Sequence, residues 1–151
     1  MMVDTTAERE IVVTRLLNAP RELVFAAFTE QEHVAQWWVP GGTTIHEYDG
    51  RPGGLWRYTM PGPDGDQYAF KVRFIDIDRP TRLVYDYGVD ADGAPEPVRT
   101  TVTFAEENGR TRVTLQLMFA SAADREEAAQ YGAAAGAQQA LGSLAEYLAK
   151  L

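Results

Sequence analysis

The sequence predicts an α+β fold: an antiparallel sheet of about seven strands, two short helices after the first strand, and one long C-terminal helix over the sheet. Three observations carry this. Residues 43–119 are a succession of β-rich segments divided by turn signals. Residues 121–150 read as one helix closing on a leucine stripe. Between the first β-rich segment and the rest lie two short helical stretches, so the order is strand, two helices, six strands, helix. At 151 residues this is expected to be one domain, 1–151, with 1–8 as a flexible tail.

Each element follows from local chemistry. "REIVVTRLLNA" (9–19) is dense in Ile, Val and Leu and predicts the first strand. Pro20 suits the first turn of a helix, and "RELVFAAFTE" then sets Leu23, Val24 and Phe28 at helical spacing. "TEQE" (29–32) has the form of a capping box, with Thr29 as N-cap and Glu32 reaching back. The second helix should therefore start there and stop at Pro40-Gly41-Gly42. "TTIHEY", "LWRYTM", "QYAFKVRFIDI", "RLVYDYGV", "VRTTVTFAE" and "TRVTLQLMF" are the next six strands. Tyr68, Phe70, Val72 and Phe74 alternate with Ala69, Lys71 and Arg73, and Leu83, Tyr85, Tyr87 and Val89 share one face in the same way. Asn108-Gly109 joins the last two strands as a tight hairpin. Ser121 is an N-cap with Asp124 three residues on, and Leu141, Leu144, Leu148 and Leu151 form the helical stripe.

Composition excludes several functions. The chain has no cysteine, which removes disulfides, thiolate catalysis and cysteine metal sites. Its net charge of -8 repels phosphate backbones, so nucleic acid is not an expected partner. No apolar run reaches the ~20 residues that span a bilayer, and the N-terminal residues lack a signal-peptide pattern. The expectation is a cytoplasmic protein, monomer or homodimer, with no membrane insertion.

The strands present large groups on one face: Trp56, Tyr58, Tyr68, Phe70, Phe74, Tyr85, Tyr87 and Phe104. Opposite them the first half of the long helix, "AAQYGAAAGAQQALG", offers mostly Ala and Gly. Gly132, Gly136 and Gly142 each cost a helix about 1 kcal/mol relative to alanine, which calls for compensation. Close packing against bulky strand residues supplies one; a hollow between sheet and slim helix supplies the other. A hollow holding tyrosines would be apolar with a few polar anchors, as small-molecule sites are.

The adjacent Trp37 and Trp38 point about 100° apart, so one helix face does not bury both. Trp38 is expected in the core and Trp37 in the cavity wall. His46 lies in "IHEYD" with Glu47 and Asp49, but His46 and Glu47 are strand neighbours facing opposite ways, so no metal is expected. His33 is expected on an exposed helix face near the cavity mouth. Serine occurs only at 121 and 143, which excludes a Ser-His-Asp arrangement between strands and loops. Asp49 and Arg51 are expected to brace the "RPGG" turn, and Arg57 and Arg73 to sit on the solvated face unless a bulge turns one inward. No catalytic residue and no cofactor is expected.

"NAPRELVFAAFTEQEHVAQWWVP", "DGRPGGLWRYTMPGPDGDQY", "DRPTRLVYDY" and "VTFAEENGRTRVTLQ", in this order, resemble the bacterial proteins related to the activator of the heat-shock-protein-90 ATPase. That family belongs to the START-like, helix-grip superfamily (SRPBCC), which includes polyketide cyclases and the birch-pollen allergen type. The resemblance spans about residues 9–150 and rests most on Trp-Trp-x-Pro and Arg-Pro-Gly-Gly. It implies a curved sheet gripping the C-terminal helix around a ligand cavity. Relatives often carry Gly-Trp where this chain has Gly136-Ala137, which implies a roomier cavity here. The cavity residues then expected are Trp37, Trp56, Tyr58, Tyr68, Phe70, Tyr85, Tyr87, Phe104, Ala133, Ala137 and Leu141. The leading expectation is a binding protein for a small hydrophobic or aromatic molecule. The alternatives are a co-chaperone-like domain in the stress response, with a chaperone as partner, and a cyclase- or hydrolase-type enzyme using cavity tyrosines or His46.

Overall fold

A computed structural model describes residues 6–38, 43–62, 64–94 and 96–151. In chain order the elements are α1 (Thr6–Arg9), β1 (Glu10–Leu17), α2 (Arg21–Thr29), α3 (Gln31–Trp37), β2 (Thr44–Tyr48), β3 (Leu55–Pro61), β4 (Gln67–Asp78), β5 (Arg82–Val89), β6 (Val98–Glu107), β7 (Arg110–Met118), α4 (Ala122–Gln130) and α5 (Ala133–Ala149). The seven strands form one sheet in the order β1-β7-β6-β5-β4-β3-β2. Every pairing is antiparallel. Six strands follow one another as a meander, and β1 returns beside the last, Glu10 opposite Met118 and Leu17 opposite Thr111.

Turn chemistry sets the registers. Asn108 (φ 53°) and Gly109 (φ 79°) are both left-handed, as a two-residue hairpin requires, and they lock Glu107 opposite Arg110. At the Arg-Pro-Gly-Gly turn, a Cβ on Gly54 would lie 2.1 Å from the Asp49 carbonyl oxygen, so only glycine fits. Bulges between Ile45 and Glu47 and between Phe74 and Asp76 add twist and curve the sheet around its helical side. The concave face and α2, α3 and α5 enclose the core, where Val24, Phe25, Val34, Val72, Leu83, Val102, Leu141 and Leu144 are fully buried. The opposite face is solvated and crossed by ion pairs such as Arg57–Asp90 and Arg82–Asp76, each at 2.7 Å.

The structure corrects three local expectations. The C-terminal helix is two helices, because Gly132 takes a left-handed conformation (φ 83°) as the N-cap of α5. Nothing opposes that break, since α4 has no buried side chain to hold it collinear with α5. Ser121 does cap α4, its hydroxyl accepting from the Asp124 N–H at 3.1 Å. The capping box is absent: Thr29 ends α2, buried, with its hydroxyl donating to the Phe25 carbonyl at 3.0 Å. The N-cap of α3 is the extended Glu30, because the two helices abut with one residue between them. Arg9, expected to open the first strand, instead ends the helical turn α1, which begins at Thr6 inside the expected tail 1–8. The expected stop at Pro40-Gly41-Gly42 lies outside the described residues. Of the leucine stripe, Leu141, Leu144 and Leu148 are buried, whereas Leu151 is exposed.

Candidate functional site

The cavity lies under the first half of α5. Alternation along β5 turns Tyr85 and Tyr87 to the concave face, and the sheet register places Thr100 of β6 opposite Tyr85 and Leu117 of β7 opposite Thr100. These side chains, with Leu115, form the floor. Phe28, Trp37 and Trp38 form one wall, and Ala133, Gly136, Ala137, Ala140 and Leu141 form the roof. The space between them, open on one side, is about 270 Å³. The roof explains one glycine: a Cβ on Gly136 would meet nothing within 4 Å, so it does not serve close packing. Gly142 comes near only the tip of Arg15, at 3.5 Å. The hollow, and not tight helix–sheet contact, is what accompanies the Ala/Gly stretch.

The two tryptophans divide their work differently from expectation. Trp37 is the more buried, 7% exposed, and its indole N–H donates to the Ala27 carbonyl at 2.7 Å. Its ring meets Phe28 edge-on at 4.9 Å, so it welds α3 to α2 as well as lining the pocket. Trp38, half-buried, leans into the sheet, 5.2 Å from the Trp56 ring and 5.5 Å from Tyr85. Both indoles face the cavity, and Trp38 does so as the C-cap of α3, its backbone still helical (φ -69°, ψ -40°).

A knot of hydroxyls sits at the floor. Tyr58 donates to the Tyr87 oxygen at 3.3 Å, and Tyr85 and Thr100 face each other across β5 and β6. Burial pushes Tyr58, Tyr85 and Tyr87 above the ordinary value near 10, and neighbouring hydroxyls add to this at Tyr58 and Tyr85. At Tyr87 the hydrogen bond from Tyr58 works the other way and is outweighed. All three are neutral phenols at physiological pH. None of the residues lining the cavity is charged.

Six residues expected at the cavity line it: Trp37, Tyr85, Tyr87, Ala133, Ala137 and Leu141. The other five do not. Trp56 (1% exposed) and Tyr58 (2%) lie in the layer beneath the floor, and Phe104 is packed between Phe25 and Phe28. Phe70 stacks on Tyr58 and Tyr87 beyond the cavity's edge. Tyr68, on the same strand face but near its end, is exposed and donates to Asp64 at 2.9 Å. Pointing to the apolar face therefore did not suffice; α5 packs on β1, α2 packs on β6 and β7, and the cavity floor takes side chains from β5 to β7 alone. Phe28, Trp38, Thr100, Leu115, Leu117, Gly136 and Ala140 were missed. The Asn-Gly hairpin could have located some of them, since its register carries Thr100 to Leu117 and Val102 to Leu115.

His46 is exposed on β2, its Nε2 2.6 Å from the Thr59 hydroxyl, and is not among the lining residues. His33 is half-buried, with Nδ1 2.6 Å from the Tyr147 hydroxyl. That contact ties α3 to α5 beside an outer groove of about 650 Å³ that shares Trp37, Trp38, Gly136 and Ala140 with the cavity. Glu30, Glu32 and His33 bring donor atoms within 4.8 Å of one another; the carboxylates flank the first turn of α3, where the helix dipole also favours them. Arg51 pairs with Asp49 at 2.8 Å, and Arg73 donates to the Gly53 carbonyl at 2.9 Å, bracing the Arg-Pro-Gly-Gly turn.

A curved seven-stranded antiparallel sheet, two short helices after its first strand and a C-terminal helix over an aromatic cavity define the helix-grip, START-like class. Within it the chain belongs to the family described as Activator of Hsp90 ATPase homolog 1-like protein, whose model matches residues 18–149. Among solved structures, one from Arthrobacter aurescens shares the fold with a TM-score of 0.85 at 22% identity, covering 99% of this chain and 91% of that one. One from Mycobacterium smegmatis has a TM-score of 0.80 at 24% identity, over 97% and 94% of the two chains. One from Rhizobium leguminosarum has a TM-score of 0.72 at 27% identity, over 94% and 95%. No curated protein matches the chain. Among the described residues, no helix is long and apolar enough to cross a membrane.

Proposed function

We propose that this protein binds a small apolar or aromatic molecule in the cavity between the sheet and α5. The observation that carries the reading is the cavity itself: aromatic and aliphatic walls, a floor with phenolic hydroxyls, and a thin roof of Ala and Gly. A helix packed for stability alone would fill that space with side chains, since interiors are close-packed. Native mass spectrometry of protein purified from its own host tests the reading, and a co-purifying small molecule names the ligand. Ala137→Trp, which restores the bulk that relatives often carry there, is expected to fill the cavity and abolish uptake while the far-ultraviolet circular dichroism stays unchanged. Undiminished binding by a folded Ala137→Trp protein places the ligand elsewhere.

A second reading, a co-chaperone-like interaction domain of the stress response, is favoured by the family's description. An ATPase assay with the host's heat-shock protein 90, unchanged by this protein, removes it. The cyclase- or hydrolase-type reading loses its candidate base, since His46 sits on the sheet edge and the cavity tyrosines hold their protons. In all readings the cytoplasm is the proposed location.

A further inference from the structure

We propose that the cavity selects an uncharged aromatic molecule of about two rings that carries a carbonyl oxygen, held by hydrogen bonds from both Tyr85 and Tyr87. This rests on the reading of the cavity as a ligand site and gives that ligand a chemistry. The argument is a count of hydrogens. Three hydroxyls line the cavity, those of Tyr85, Tyr87 and Thr100, each with one hydrogen to donate. The Tyr87 oxygen accepts from the Tyr58 hydroxyl at 3.3 Å, so that contact leaves the Tyr87 hydrogen unspent. Tyr85, two residues away on the same face of β5, is the other tyrosine of the lining. Among the described residues no carboxylate or carbonyl oxygen takes the hydrogen of either tyrosine, and buried donors call for an acceptor. One carbonyl oxygen, with two lone pairs, answers both.

Size and charge narrow the class further. About 270 Å³, filled as loosely as an organic liquid, holds roughly 150 Å³ of molecule, which is two fused rings with a small substituent. The flanking rings of Phe28, Trp37 and Trp38 suit a flat aromatic body. A carboxylate would lose its hydration against walls that hold no Lys, Arg or His, in a protein of net charge -8. An ammonium would find no carboxylate there to replace the hydration it gives up.

Four probes of one ring system separate these claims: naphthalene, 2-acetylnaphthalene, 2-naphthoate and 2-naphthylmethylammonium, titrated calorimetrically at pH 7. The ketone is expected to bind about five- to tenfold more tightly than naphthalene, the gain of one or two buried neutral hydrogen bonds. Both ions are expected to bind at least tenfold more weakly than the ketone. In Tyr85→Phe and in Tyr87→Phe, each checked by near-ultraviolet circular dichroism, the ketone-to-naphthalene ratio should fall toward one. Equal affinity for ketone and naphthalene in the wild-type protein overturns the hydrogen-bond claim and leaves the cavity reading standing. Naphthoate or the ammonium binding as tightly as the ketone overturns the claim of neutrality. If no probe binds, naphthalene included, the cavity reading fails and this inference fails with it.

Discussion

Gly136 is the residue at which helix stability and cavity room pull apart. It lies inside α5, where glycine is disfavoured by about 1 kcal/mol relative to alanine because it loses more backbone freedom on folding. Its added Cβ would have open space on every side, so sterics do not demand glycine there. Gly136→Ala is therefore expected to raise stability by about 0.5–1 kcal/mol, read as a higher urea midpoint with an unchanged slope. A lower midpoint would mean that the backbone at 136 makes a contact that the free space around it conceals. Gly132 is the opposite case, since its left-handed backbone needs glycine whatever the surrounding room. The two glycines look alike in the sequence, and only their backbone angles separate them.

The two ends of α5 are anchored to different degrees. Its C-terminal half carries Leu141, Leu144 and Leu148 into the core, against the concave face of the sheet. Its N-terminal half offers only Ala133, Ala137 and Ala140 as partly buried side chains, above a cavity and beyond the break at Gly132. Local opening costs little where few apolar contacts are lost. Hydrogen exchange is expected to show faster amide exchange over residues 136–140 than over 144–148, with the slow half close to global stability. Uniform protection along α5 would show that the roof is as firmly held as the core. A ligand in the cavity should slow the fast half selectively, since it supplies the missing packing under those alanines.

At the scale of the molecule, the parts legible in the sequence are those governed by local pattern. Strand alternation, the Asn108-Gly109 hairpin and the Ser121 cap each lie within a few residues, and all three stand in the structure. The Gly132 break was hidden because Ala-rich sequence on both sides continues a helical pattern, and backbone handedness at one glycine leaves no periodic trace. The cavity was half legible: an aromatic strand face opposite an Ala/Gly helix located it, but its edges depend on how far α3 and α5 reach across the sheet. That is a tertiary fact, and it is why Trp56, Tyr58 and Phe104 ended beneath the floor or in the core instead of at its surface. The same burial has a global consequence in alkali. Tyr48, Tyr58, Tyr85 and Tyr87 all have folded-state pKa values raised above the ordinary 10, chiefly by desolvation. Below pH 10 both folded and unfolded chains keep these protons, so stability does not vary on their account. Above pH 10 the unfolded chain releases them and the folded chain does not. Stability then falls with rising pH, by up to about 1.4 kcal/mol per pH unit for each tyrosine. Four such groups acting together should make alkaline unfolding steep. The tyrosinate absorbance of the buried set should appear together with loss of the near-ultraviolet circular dichroism, as one transition above pH 10. Tyrosinate appearing fully while the near-ultraviolet signal persists would show that water reaches the hydroxyl knot in the folded protein.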